Sequence, residues 1–185
     1  MPVAEMKSRK NDPERGYYVK GRFVVPVVEK QTENPEIAAL MVTLQKGSTY
    51  GSLQAAENLG RIGAPVVGPL VQALVDDATT ARWRIAIALA SVGTAATEAL
   101  IDVVNAGKDQ AVNPAIWALG RIGDERAVEP LVAAMKCGRT ESCRGMAAAA
   151  LMKLGHPTGV AAVEEALPEA DETVRAFVFE EVHRN

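Results

Sequence analysis

The sequence predicts an all-α chain, a solenoid of about five stacked helix pairs preceded by a short β-prone extension. Three observations carry that expectation. A leucine–glycine pattern recurs at a period near 30 residues. Each recurring glycine is followed by a fresh apolar stripe at helical spacing. The first 30 residues differ in composition from everything after them.

Four segments define the repeat: AAENLGRIG ending at Gly63, AIALASVG at Gly93, AIWALGRIG at Gly123 and AAALMKLG at Gly155. The glycines lie 30, 30 and 32 residues apart, so period and register both persist. Leu59, Leu89, Leu119 and Leu151 stand four residues before them, and Ile62, Val92, Ile122 and Leu154 one before. A glycine here can end a helix in a left-handed backbone conformation that a side chain would penalise. Pro65 and Asp124 then suit the start of the next helix.

Each unit is therefore helix A, turn, helix B, turn, over residues 35–63, 64–93, 94–123, 124–155 and 156–185. Helix A of the first unit is expected near 36–46, and the fifth unit's helices near 157–167 and 171–184. The fifth B helix lacks the closing glycine pattern and ends in Glu180, Glu181 and Arg184, as a capping repeat with a solvated outer face would. Counting back from each glycine, positions −1, −4, −5 and −8 make the core stripe, which in the first unit is Ile62, Leu59, Asn58 and Ala55. Positions −3 and −7 are small in most copies (Gly60, Ala90, Gly120) and suit close contact between neighbouring helices.

Residues 1–34 form a separate segment. Residues 1–30 hold 7 Lys/Arg and 4 Asp/Glu, against 13 and 19 in the remainder. Residues 17–28 are β-prone, with Lys20-Gly21 as a candidate hairpin turn. Such a hairpin is marginal alone, so it needs a surface: the first repeat, or a partner gripped through Tyr17, Tyr18, Arg22 and Phe23.

Composition narrows the function. The net charge of −3 weighs against nucleic acid. No uninterrupted apolar run reaches the roughly 18 residues a bilayer requires, and no apolar leader opens the chain. With two cysteines, a reducing cytoplasm is expected. Cys137 and Cys143 flank the turn of the unit with the two-residue insertion and are expected to be ordinary thiols. A redox switch or a shared metal ligand is the competing reading, although His156 is the one further donor nearby and zinc needs four. His156 and His183 lie apart, no phosphate-binding glycine loop is present, and Glu164-Glu165 and Glu180-Glu181 suit solvated faces. No catalysis, metal or cofactor is expected.

The run Arg121-Ile122-Gly123-Asp124-Glu125-Arg126-Ala127-Val128-Glu129-Pro130-Leu131 resembles the HEAT-like repeats of phycobilisome lyases and of many bacterial and archaeal proteins. The resemblance extends over residues 35–185 and implies a right-handed α-solenoid whose B helices line the concave surface. Positions −2, −6, −9 and −10 then form a ligand-facing stripe. It reads Leu53, Gln54, Glu57 and Arg61, then Trp83, Arg84, Ile87 and Ser91, then Asn113, Pro114, Trp117 and Arg121. The fourth unit adds Gly145, Met146, Ala149 and Lys153, and the fifth Ala176, Phe177, Glu180 and Arg184. Aromatic and methionine anchors bordered by arginine have the composition of protein-binding hot spots. The competing reading packs Trp83 on the preceding helix and buries Trp117 in the core.

Arginine at position −11, as the resemblance implies, ties neighbouring turns together; Arg82, Arg144 and Arg175 stand there, while Ser52 and Val112 break the pattern. Asn113-Pro114 predicts either a late start of the third B helix, with Asn113 as its cap, or a kink making a notch beside Trp117. The expected function is a non-catalytic scaffold or accessory subunit binding another protein or a multisubunit complex. A chromophore lyase or other cofactor-handling protein is the first alternative, and a nucleic-acid-binding repeat protein the second.

Overall fold

A computed structural model describes residues 34–76, 78–106 and 109–183, together with two short strands. The strands, β1 (Tyr17–Val19) and β2 (Arg22–Val24), pair antiparallel with Tyr18 opposite Phe23. The expected turn at Lys20-Gly21 lies outside the described residues, and β2 runs beside α3 (Val67–Val75).

From residue 34 onward the described residues make five helix pairs. The outer helices are α1 (Pro35–Lys46), α3, α5 (Thr97–Ala106), α7 (Val128–Cys137) and α9 (Pro157–Ala166). The inner ones are α2 (Thr49–Ile62), α4 (Arg82–Val92), α6 (Asp109–Ile122), α8 (Glu141–Leu154) and α10 (Glu172–Val182). The inner helices pack serially, α2 on α4 through to α8 on α10, and each of the first four pairs also packs within itself. The described residues form an all-α solenoid of stacked helix pairs.

Local chemistry sets the boundaries. Asn34, Ser48, Thr140 and Asp171 each accept a backbone N–H at a helix start through a side-chain oxygen. Gly63, Gly93, Gly123 and Gly155 all have positive φ, between 66° and 79°. After the first three, a 3-10 turn intervenes before the next helix proper: Ala64–Val66, Gly93–Ala96 and Glu125–Ala127. The sequence placed helix starts at those turns. Their i→i+3 bonds, such as Val66 N–H to the Gly63 carbonyl at 3.2 Å, satisfy donors that a helix N-terminus leaves open.

The core runs as one layer between the two rows of helices. Leu59, Leu89, Leu119 and Leu151 are all 0% exposed, and Leu70, Leu100 and Leu131 meet them from the outer row. Burying each leucine contributes about 1.5–3 kcal/mol. Inner helices touch almost backbone to backbone. A Cβ on Gly60 would lie 2.7 Å from the Ser91 Cβ, and one on Gly120 2.9 Å from the Ala150 Cβ. Asn58 departs from the expected core stripe: Ala88, Ala118 and Ala150 at the same position are buried, but Asn58 is exposed. Among the described residues no helix pair precedes the first one to cover it.

Pro114 lies inside α6, which begins at Asp109, so the late helix start does not occur and Asn113 is no cap. The proline is buried, and the Asn113 amide donates to Ser142 Oγ at 3.1 Å across to α8. The stretch Arg82–Ala106 contains an 18-residue window apolar enough by composition to cross a bilayer, which a count of uninterrupted apolar residues misses. Gly93, at φ 79°, breaks that stretch into α4 and α5.

Polar clasps join successive units. Thr97 Oγ1 donates to Asp124 Oδ2 at 3.0 Å, and Arg126 bonds Asp124, Glu98 and the Thr94 carbonyl. The Arg126 guanidinium, helped by its backbone N–H and by Thr97 against the cost of burial, holds the Asp124 carboxyl at about 2 rather than 3.8. Arg144 spans the Gly138 carbonyl and Asp171, as expected of position −11, and keeps Asp171 below its usual range. Arg82 bonds the Thr79 and Asp76 carbonyls at 2.7 and 2.8 Å.

Two outcomes follow. Gly120→Val forces a side chain against Ala150 and should cost about 1–3 kcal/mol in a denaturant melt. Asp124 is depressed in the folded state, so its stabilisation is complete above 3.8 and is lost as pH falls through about 2. Asp124→Asn should therefore lower the melting temperature at pH 7, with the gap to wild type closing across that window.

Candidate functional site

The inner helices place their leftover positions along one concave groove. Between α4, α6, α8 and α10 it deepens into a cavity of ≈ 360 Å³, walled by Trp83, Trp117, Met146 and Phe177 with Arg121, Lys153 and Glu180 at its polar edge. The inner helices α4, α6, α8 and α10 thus contribute one large apolar side chain each, from stripe positions −10, −6, −9 and −9. The groove exists because the period is nearly constant.

Its geometry is specific. Trp83 and Trp117 meet edge to face, ring centroids 6.2 Å apart and planes 82° to each other. Trp83 is 48% exposed, while Trp117 is half-buried at the groove floor, and neither is enclosed in the core. The Arg121 guanidinium lies 5.7 Å from the Trp117 ring centroid, within cation–π range. Phe177 packs on Gly145: a Cβ there would be 2.6 Å from the ring, so glycine at this position makes room for the aromatic.

Most of the stripe expected from the sequence comes together. Leu53, Gln54, Glu57 and Arg61 are exposed on α2, and Ile87, Met146 and Phe177 are half-buried. Two members take structural places instead. Pro114 is buried, and Arg84 donates to the Gln45 and Gly47 carbonyls at 3.3 and 3.0 Å, closing the C-terminus of α1. Ser52, also buried, lies 3.3 Å from the Thr43 carbonyl and 3.4 Å from that of Gly47. The first pair, lacking arginine at position −11, thus replaces it with Ser52 and the neighbouring Arg84.

The remaining cations are also engaged. Arg61 pairs with Glu57 at 2.6 Å, and Lys153 with Glu181 at 3.2 Å. Sequence reasoning missed Glu181 and the Asn113–Ser142 bond, since both depend on which residues the neighbouring helix brings opposite. Tyr17, Tyr18, Arg22 and Phe23 fall on β1 and β2, and the surroundings of their side chains lie outside the described residues, as do residues 1–16 and Arg184.

A second cavity, ≈ 280 Å³, opens between the third and fourth pairs, with Val104, Val112, Pro130, Cys137, Thr140 and Cys143 on its walls. Cys137 lies exposed at the end of α7 and Cys143 buried at the start of α8. His156 stands at the start of α9, and among the described residues no three His, Cys, Asp or Glu side chains gather as metal ligands.

Fold and groove together define a class: a helical-repeat solenoid with an aromatic groove along its inner helices. Residues 113–181, from within α6 to within α10, match the family model for HEAT repeats. The first two pairs continue the same glycine register outside that match. No curated protein sequence matches the chain.

The indole pair gives a direct check. Two rings this close should couple in far-ultraviolet circular dichroism, and Trp83→Phe should abolish that signal while leaving the helical bands intact.

Proposed function

We propose that the protein is a non-catalytic interaction scaffold or accessory subunit that holds a partner protein on its concave inner-helix face. The edge-to-face Trp83–Trp117 pair at the groove floor, bordered by Arg121, carries this reading. HEAT repeats generally mediate protein–protein interaction, and residues 113–181 match that family. A rigid, partly exposed aromatic pair offers apolar area at little entropic cost, as interface anchors do. Burying one such ring would contribute about 1.5–3 kcal/mol.

A second reading draws on the groove's size. A cavity of ≈ 360 Å³ beside two tryptophans suits part of a planar chromophore, in keeping with the likeness to phycobilisome-lyase repeats. Nucleic-acid binding is less favoured, because Arg61, Arg84 and Lys153 are bonded within the chain and Arg121 lies over Trp117.

The test is affinity purification of the tagged chain from its native source, wild type beside a Trp83→Ala, Trp117→Ala double variant. The expected result is a stoichiometric partner with the wild type that the folded double variant loses. Recovery of every partner unchanged would sink the concave-face reading. A coloured preparation, or a shifted absorption band with added linear tetrapyrrole, would favour the second.

A further inference from the structure

We infer, resting on the concave-face reading above, that the partner segment in the groove is acidic as well as apolar: a peptide stretch that lays a large apolar side chain on the Trp83–Trp117 pair and sets the carboxylate of a nearby Asp or Glu on Arg121. Charge complementarity selects that occupant. The residues two positions before the closing glycines are Arg61, Ser91, Arg121 and Lys153, all exposed near the C-terminal ends of α2, α4, α6 and α8. Wherever this row is charged, it is basic.

Three of the stripe's four described cations are already satisfied. Arg61 pairs with Glu57 at 2.6 Å, Lys153 pairs with Glu181 at 3.2 Å, and Arg84 donates to the Gln45 and Gly47 carbonyls. Arg121 differs. Among the described residues no carboxylate or carbonyl bonds it, and its contact is the Trp117 ring, 5.7 Å from the centroid. A guanidinium held beside an indole has already lost part of its rotamer freedom, so a new ion pair there costs less ordering. Its N–H fork matches a carboxylate through two parallel bonds.

The apolar half of the site lies alongside. Trp83 is 48% exposed and meets Trp117 edge to face. Packed helices lie about 8–10 Å apart, so a side chain on the indole pair comes within one helix spacing of Arg121. A purely apolar segment seated there would cover the guanidinium and leave it unpaired, which is costly. The far end of the groove carries the other sign, since Glu180 lines it from α10 and Glu181 holds Lys153. A partner's carboxylate is therefore drawn to the α6 end and repelled from the α10 end. A nucleic-acid backbone, charged at every unit, would meet Glu180 as well.

The probe is a phage-displayed library of random peptides of about 12 residues. Each is joined to the coat protein through its C-terminus, so that side chains supply the carboxylates. It is panned on the full-length wild type, Arg121→Gln, Arg121→Glu and the Trp83→Ala, Trp117→Ala double variant, each checked for unchanged helical circular dichroism. The wild type should enrich sequences with an aromatic residue, leucine or methionine and an Asp or Glu within about four residues of it. The leading sequence, synthesised as an amidated peptide, should bind Arg121→Gln about tenfold or more weakly than wild type. Arg121→Glu should enrich Lys or Arg where the wild type enriches acid. Binding that needs the tryptophans but shows no acidic preference, or one that Arg121→Gln leaves unchanged, overturns the inference and spares the concave-face reading. Peptides that bind the double variant as tightly as the wild type overturn both. A wild type that enriches no peptide also overturns the inference, and the concave-face reading then stands or falls by the affinity purification.

Discussion

The solenoid depends on a backbone constraint that returns four times: a glycine at positive φ closing each of the first four inner helices. In that conformation the chain leaves the inner row and starts the next outer helix through a single short turn. Fixing that exit fixes what precedes it. The leucine four residues earlier is fully buried in every copy, and the residues two and six positions earlier stay at least partly exposed. A side chain at the glycine would meet no neighbour, since nothing lies within 4 Å of a Cβ built there. The requirement is therefore purely conformational, and the turn is held by the chain itself rather than by packing around it.

From this register follows an uneven distribution of contacts. The inner helices approach closely because Gly60, Gly120 and Gly145 each admit a side chain from the next helix. The outer row is joined more through polar clasps, of which the Thr97–Asp124–Arg126–Glu98 cluster is the fullest. The tryptophan pair sits where α4 and α6 pack side by side in the inner row.

The register was legible in the sequence because a solenoid is nearly one-dimensional: each unit contacts only its neighbours, so the same chemistry must recur at the same spacing. Trp83, Trp117, Met146 and Phe177 were placed on one face by counting alone. What counting missed depends on neighbours that a repeat does not share. Asn58 occupies a core position, but among the described residues no preceding helix pair covers it. Arg84 belongs to the concave stripe by register, yet the open carbonyls at the end of α1 draw it away. Pro114 looked like a helix boundary, but α6 starts five residues before it. Its missing N–H is one lost bond in a helix gripped by α4, α5 and α8.

The same logic gives α10 two distinct faces. Phe177 looks into the groove beside Gly145, whereas Phe179, two residues on, faces away from the stack. Residues two apart on a helix lie on different sides, so one helix closes the end of the groove while exposing Phe179 elsewhere. Val174 and Val178 anchor it to α8 between those two duties. A change in how α10 seats on α8 would move both faces together, and Lys153–Glu181, spanning α8 and α10, is placed to hold that seat. The groove and the terminal face are thus chemically separate but mechanically joined through one helix.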